Sequence, residues 1–293
     1  MAGSNPDRGR TVSTVLGRKL GGELLRMRET RGLKQTDAAE ALTASVAKVA
    51  KIERGQVPLR DPDVRALFHL YGQDDPEAIE RLLALAKADR ERRKMKGWWL
   101  NTPSAEELSE YISAEHVARR IRTWQMSFVP GLCQTADYTR SLVARAGSWH
   151  EREEAEGIVD IRRKRQERLT GPNPVQLHCV IWEAALRQEV GGPKVMRAQL
   201  GRLLDLMDLP NVRVQVLPFQ TGAHPCMAGP FGLMSFSETD AMDVVYRDVY
   251  GGTVWVENEI ESSQFAKHFD ESARHGLSPE ESAALIIRIQ KGF

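Results

Sequence analysis

Residues 33–55 read LKQTDAAEALTASVAKVAKIERG. In the second half of this stretch Val46, Val49 and Ile52 recur every three residues. Small Ala47 and Ala50 sit between them, and Lys48 and Lys51 are three apart. The spacing predicts a short helix with one thin apolar stripe and an otherwise small or basic surface. Ser45 is suited to cap its start, and Gly55 to stop it. Thr43-Ala44-Ser45 makes a tight connection from a second short helix over residues 34–42, with Ala38, Ala39 and Leu42 inward. Such a helix serves either as ordinary surface packing or as a rod shaped to enter something narrow and negatively charged.

The flanking sequence extends the helical pattern. Residues 14–31 place Val15, Leu16, Leu20, Leu24, Leu25 and Met27 on one stripe, ended by Gly32. After the proline-containing loop QVPLRDP, residues 63–71 and the stretch PEAIERLLALAKADRERR give a fourth and a fifth helix. A charge run, ERRKMK, and then GWWLNTP mark a boundary. The expected organisation is a disordered tail over residues 1–12, an all-α five-helix helix-turn-helix domain over 13–96, a linker over 97–103, and an α+β domain over 104–293.

Bulk properties agree with two folded domains. The chain has 293 residues, 41% hydrophobic and 28% charged, which is globular composition. No stretch approaches the roughly 20 apolar residues of a membrane span, and the N-terminus lacks a signal-peptide apolar region. Cys133, Cys179 and Cys226 are few, odd in number and spread out. That usage fits a reducing cytoplasm and no disulfide framework. The net charge of +1 hides an asymmetry: residues 1–60 carry twelve Lys/Arg against six Asp/Glu, residues 61–100 balance, and the remainder is acidic. A basic front end implies a polyanionic partner for the first domain.

The second domain reads as mixed. SAEELSEYISAEHVARRIRTW is expected to be an amphipathic helix, SFVPGLCQ a loop, TADYTRSLVARA a helix and EREEAEGIVDIRRKRQERL a long charged helix. In the last, Ile158, Ile161 and Leu169 form the buried edge and Arg162–Arg165 decorate a solvated face. VQLHCVIW, NVRVQVLPF, GLMSFS, DVVYRD and TVWVE then read as strands, with a helix in PKVMRAQLGRLLDLMDL and two more at about 258–275 and 279–291. The expected sheet is mostly antiparallel with flanking helices.

A major groove about 12 Å wide admits one α-helix whose outward side chains are small. The expected DNA-reading residues of the third helix are Ser45, Val46, Ala47, Lys48 and Lys51. Lys48 is suited to a guanine edge or a phosphate, and Val46 or Ala47 to a thymine methyl. Gln35 and Thr36, at the start of the second helix, and Arg54 complete the expected set, Gln35 on a phosphate that fixes register. Arg31 is a further candidate backbone clamp.

Over roughly residues 16–71 the sequence resembles the Xre/Cro-type helix-turn-helix of phage repressors. Gln35 falls on that family's helix-2 glutamine, Ala39 on its small crossing residue, and Ile52-Glu53-Arg54-Gly55 on its closing motif. The turn position that is often glycine is Thr43. Beyond it, YISAEHVARRIRTWQMSFVPGLCQTADYTRSL, EAALRQEVGGPKVMRAQLGRLLDL, PNVRVQVLPF, GAHPCMAGPFGLMSF and LSPEESAALI resemble the second domain of actinobacterial WhiJ-type, antitoxin-like regulators. That resemblance implies a small protein partner encoded nearby, and roles in development or antibiotic production.

Catalytic signatures are missing from the sequence: it holds no G-x-S-x-G elbow, P-loop or dinucleotide fingerprint. Adjacent His178 and Cys179 would point to opposite faces of a strand, which leaves too few ligands to join His224 and Cys226 in a zinc site. No enzyme activity, cofactor or metal is expected. The loop QTGAHPCMAGPFG supplies His224, Cys226, Met227 and Phe231 as candidates for a partner or effector surface. Trp98 and Trp99 fit either an exposed anchor or a plug between domains. The function expected is a cytoplasmic, sequence-specific regulator of transcription, nucleoid-associated when it binds its double-stranded operator as a homodimer. The alternative is an antitoxin-like module whose main task is binding a small cognate protein.

Overall fold

The computed structural model describes residues 13–94, 97, 99, 108–144, 152–236, 243–249 and 252–293. The expected tail over residues 1–12, Trp98 and most of the expected linker over 97–103 lie outside them. The chain separates into two compact units, the first ending at Lys94 and the second running from Met95 to Phe293, with Glu257–Glu259 grouped with the first.

The described residues of the first unit form five helices: α1 (Val15–Thr30), α2 (Gln35–Ala41), α3 (Val46–Glu53), α4 (Asp61–Leu70) and α5 (Pro76–Lys94). Leu16, Leu20, Leu24, Val49, Ile52, Val64, Leu67, Leu82 and Leu85 are buried and form its core. The stripe read from the sequence is therefore the packed face, with Leu25 half-buried at its edge. The first four helices end alike. The amide of the third residue past each end reaches back five residues: Leu33 to Arg28, Ala44 to Ala39, Gln56 to Lys51 and Gln73 to Phe68. This geometry needs a left-handed residue just before that amide. Gly32, Gly55 and Gly72 supply it, and after α2 it falls to Thr43 at φ 48°.

Two glycines on α1 set where α3 lies. A Cβ on Gly21 would stand 2.4 Å from the Ile52 carbonyl oxygen, and one on Gly17 would stand 2.6 Å from that of Gly55. The carbonyl end of α3 thus rests directly on the backbone of α1. A second tie closes the same corner. Thr14 caps α1 by accepting the Gly17 N–H at 2.9 Å and donates its hydroxyl to buried Asp89 of α5. Arg93 bonds Asp89 at 2.7 Å and the Gly55 carbonyl at 2.6 Å.

Among the described residues, the second unit holds a six-stranded sheet in the order β3-β2-β1-β4-β5-β6. Its strands are β1 (Arg120–Gln125), β2 (Gln176–Trp182), β3 (Val212–Leu217), β4 (Phe231–Ser235), β5 (Val244–Val249) and β6 (Gly252–Val256). The β1–β2 and β2–β3 pairs are parallel, and β1–β4, β4–β5 and β5–β6 are antiparallel. The sheet is therefore mixed and mostly antiparallel. Parallel neighbours need long crossovers. Those here carry α7 (Ala136–Val143) and α8 (Arg152–Gln166) between β1 and β2, and α9 (Glu183–Arg187) and α10 (Pro193–Met207) between β2 and β3. Before β1 comes α6 (Ser109–Val117); after β6 come α11 (Glu259–His275) and α12 (Pro279–Lys291). Phe269 of α11 joins Trp124, Val180, Leu217, Phe231, Leu233 and Val245 in one apolar cluster on the sheet.

Three expectations are corrected. The helix expected through Trp124 ends at Val117, and Arg120–Gln125 is instead a central strand of the sheet. Ala118 turns extended, at φ −63° and ψ 141°, and β2 then pairs with Arg120–Gln125 and β4 with Arg120–Trp124. The basic run on α8 is not uniformly solvated. Arg165 makes a two-pronged bond to buried Glu115 at 2.8 and 2.7 Å and stacks over Tyr111, and Arg162 donates to Gln134 and Thr139. Trp99 is buried with Ile112 and Ile161 inside the second unit.

Adjacent glycines on α1 give a test of opposite signs. Gly21→Ala drives a methyl into the α3 carbonyls, an overpacking cost of about 1–3 kcal/mol. Gly22→Ala meets nothing within 4 Å. It should stabilise by about 0.5–1 kcal/mol, the usual gain of alanine over glycine inside a helix. Native-state hydrogen exchange of the α1 and α3 amides in the full chain reads both.

Candidate nucleic-acid interface

The first residues of α3 face water. Ser45, Val46, Ala47 and Lys51 are exposed and Lys48 is half-buried, while Val49 and Ile52 on the opposite stripe are buried. Val46, an apolar β-branched side chain, is 42% exposed. The Ser45 hydroxyl oxygen accepts the Lys48 N–H at 3.2 Å, so Ser45 caps the helix and keeps its own O–H available to donate. Arg54 is exposed just past the helix end, with Nε on the Ala50 carbonyl at 3.0 Å. Thr36 is exposed at the start of α2. Across the loop, Asp63 of α4 lies near Lys48. Burial pushes the Asp63 carboxyl up, but the Arg60 hydrogen bonds and the charges of Arg60 and Lys48 outweigh it and hold the carboxyl below its ordinary range.

Behind this surface is a charged centre that the sequence did not reveal. Arg28 of α1 and Glu53 of α3 are both buried, and Arg28 bonds the Glu53 carboxylate through Nε at 2.6 Å and a terminal nitrogen at 3.2 Å. The other terminal nitrogen of Arg28 donates to the Leu33 carbonyl at 2.7 Å. Gln35 of α2 donates its amide to the same carboxylate at 2.7 Å. Hydrogen bonding to Glu53 comes first among the causes that raise the Arg28 pKa. Three helices therefore converge on one carboxylate, which fixes α2 and α3 at a set angle.

Gln35, expected at a phosphate, thus turns its amide nitrogen inward. Arg31 is likewise engaged in structure: its guanidinium donates to the Tyr71 carbonyl at 2.9 Å and the Gly72 carbonyl at 3.3 Å, closing the end of α4. Ser45, Val46, Ala47, Lys48, Lys51 and Arg54 remain together on α3 and its end, with Thr36 at the start of α2. The missed residues, Arg28 and Glu53, are 25 positions apart in a chain rich in charges, and no spacing rule pairs them.

The four candidates on the second unit do not share one face. Met227 is 61% exposed, whereas Phe231 and Cys226 belong to the apolar cluster. The Cys226 thiol donates to the His268 carbonyl at 3.3 Å and accepts from Ser272 at 3.1 Å, and burial pushes its pKa up to about 11. Half-buried His224 packs edge-on against Trp124. His178 bonds Gln215 at 2.8 Å, while neighbouring Cys179 lies 4.0 Å from the Cys133 sulfur. Among the described residues no group of three His, Cys, Asp or Glu is placed to hold a metal ion, and no helix is long and apolar enough to cross a membrane.

Arg28→Met leaves a buried carboxylate short of its counter-ion and should cost about 3–5 kcal/mol in the first unit. The double variant Arg28→Met/Glu53→Leu removes the stranded charge and should recover part of that loss. Thr43→Gly relieves a left-handed β-branched residue, about 1–2 kcal/mol, less the extra freedom of an unfolded glycine, for a net gain of about 0.5–1 kcal/mol. Hydrogen exchange of the α2 and α3 amides ranks all three.

Residues 19–82 match the model of a helix-turn-helix domain, which spans α2 and α3 and their neighbours. No curated protein and no solved structure matches the chain. Residues 108–288, more than half of the chain, match the model described as a domain of unknown function (DUF5753). The chain therefore belongs to the DUF5753 family and carries a helix-turn-helix domain, the architecture of DNA-binding regulators, ahead of the domain that defines that family.

Proposed function

We propose that the chain is a sequence-specific DNA-binding regulator of transcription, of the Xre/Cro-type subclass and the WhiJ-type group. The observation that carries this reading is the start of α3, where exposed Val46, Ala47 and Lys51 and half-buried Lys48 lie on the side of the helix away from its anchored stripe. Those are the properties a groove-entering helix needs. Lys48 reads a base edge, and Val46 and Ala47 pack on a thymine methyl. Ser45, Thr36, Lys51 and Arg54 hold phosphates, and Gln35 acts through Glu53 by setting the α2–α3 angle. A single helix contacts few bases, so a homodimer binds two half-sites about 10–10.5 bp apart or a multiple of that.

The second unit, in this reading, receives the signal: a small partner protein encoded nearby, or a small effector. Exposed Met227 and Phe219 on the connection between β3 and β4 give it apolar surface for contact. No residue is given a catalytic role, and the protein works in the cytoplasm on the nucleoid. A second reading, in which neutralising the partner is the main task and DNA binding serves autoregulation, draws on the same exposed surface. A stoichiometric small protein in a native pull-down favours it.

Band shifts on an operator selected from random duplexes test the first reading. Lys48→Ala should lower specific affinity by about 1–3 kcal/mol with much less effect on random DNA. Arg54→Ala should weaken both alike and flatten the salt slope by about one. Equal loss on both DNAs for Lys48→Ala demotes it to a phosphate contact, and an affinity indifferent to salt sinks the electrostatic basis of the reading.

A further inference from the structure

Arg162 and Arg165 stand three apart on α8 and so share one face of it. Their charges are not met alike. Arg165, whose side chain is 10% exposed, binds both oxygens of Glu115, through Nε at 2.8 Å and Nη2 at 2.7 Å. Its Nη2 also reaches the Tyr111 hydroxyl at 3.1 Å. Half-buried Arg162 forms no ion pair among the described residues. Its hydrogen bonds there run from Nη1 to the neutral Gln134 amide oxygen and, at 3.3 Å, to the Thr139 hydroxyl oxygen. That leaves Arg162 Nε, Arg162 Nη2 and Arg165 Nη1 without hydrogen-bond partners among the described residues, and none of the three is sealed from water.

Gly131, in the connection from β1 to α7, lies against the same two side chains. It is half-buried, and a Cβ built on it would meet nothing nearer than Arg165 Nη1 at 3.8 Å and Arg162 Nε at 3.9 Å. Two unsatisfied donors from different guanidinium groups thus flank one open point. At charge-assisted lengths of about 2.8 Å, two oxygens of a single carboxylate or phosphate reach both. The charges call for such a guest. Glu115 is the one carboxylate bonded to this pair among the described residues, so two cations share one anion. Burial, then the charge of Arg165, pulls the Arg162 pKa down to about 10, against weaker upward pulls from Tyr138, Asp248 and Tyr111. Arg162 is still a cation at neutral pH. A cation drawn out of water toward neutral partners is costly, and an anion beside it offsets that cost. The planar guanidinium suits an oxyanion in shape as well as charge.

We infer that this corner of the second unit binds a compact oxyanion, the carboxylate or phosphate group of a small effector, held between Arg162 Nε and Arg165 Nη1 over Gly131. The inference rests on the reading of the second unit as the signal-receiving part and names the chemistry of the signal. Hydrogen exchange of the full chain tests it, with inorganic phosphate or acetate replacing chloride at constant ionic strength. Saturable new protection over residues 131–139 and 158–166 is the expected result. Phosphate alone producing it assigns a phosphoryl group; acetate producing it as readily assigns a carboxylate. Arg162→Gln should raise the midpoint of that protection by about tenfold or more, the loss of one charge-assisted bond. Gly131→Ala has room for its methyl in the empty site. It should weaken binding as well, because the methyl stands where the anion enters. Lys48→Ala, in the first unit, should leave the midpoint unchanged. No protection at these residues with either anion, protection confined to the first unit, or an unchanged midpoint in Arg162→Gln overturns the inference. Anion protection in a chain that shifts no DNA would leave the site standing and remove the regulator reading. Operator binding without anion protection would do the reverse.

Discussion

The Glu53 carboxylate holds the first unit in working order. It sits in the last turn of α3, is buried, and takes hydrogen bonds from Arg28 of α1 and Gln35 of α2. A buried ion pair contributes little net stability compared with apolar packing, because both charges lose their water. It is, however, unforgiving of displacement: any motion of α3 that parts the pair strands a charge. The glycine contacts of α1 apply the same constraint through sterics, since Gly17 and Gly21 leave no room between the α1 backbone and the end of α3. Charge and shape together fix the helix from behind, so its front carries small and basic side chains that the core does not need for packing.

Much of this unit was legible because local rules and tertiary packing agree. Apolar spacing located the helices, Ser45 capped α3 as its type suggested, and glycine stops fell at three of four helix ends. Thr43 shows the limit of composition: the turn needs a left-handed residue and obtains it from a β-branched side chain, with surrounding packing bearing the strain. Gln35 shows another. Its type and position suit a phosphate, yet the nearest carboxylate lies inside the protein, and only three-dimensional proximity reveals it. Charged residues read as solvated by default, which hid Arg28, Glu53, Arg162 and Arg165 alike.

The second unit was less transparent at one decisive place. Arg119-Arg120-Ile121-Arg122-Thr123-Trp124 continues the amphipathic pattern of α6 and carries three arginines, so periodicity extended the helix across it. Strand β1 has its identity from its neighbours: it forms the junction between the parallel and antiparallel halves of the sheet, paired on both sides. Buried Arg122 is accommodated there by Asp243 and by Asp270 at 3.0 Å. The later strands, richer in Val and Ile and bounded by turn residues, needed no such context. The candidate loop was read as one surface, but alternate residues point into the core and into water, so Cys226 and Met227 part company although adjacent.

The central claim is that the exposed start of α3 meets DNA while its buried end is held by Glu53. Amide hydrogen exchange on the full chain, with and without a duplex selected from random sequence, tests it most directly. The account predicts new protection over residues 45–54 and at the start of α2, with the slow-exchanging interior of α1 unchanged. Protection absent from α3, or confined to the second unit, would contradict it.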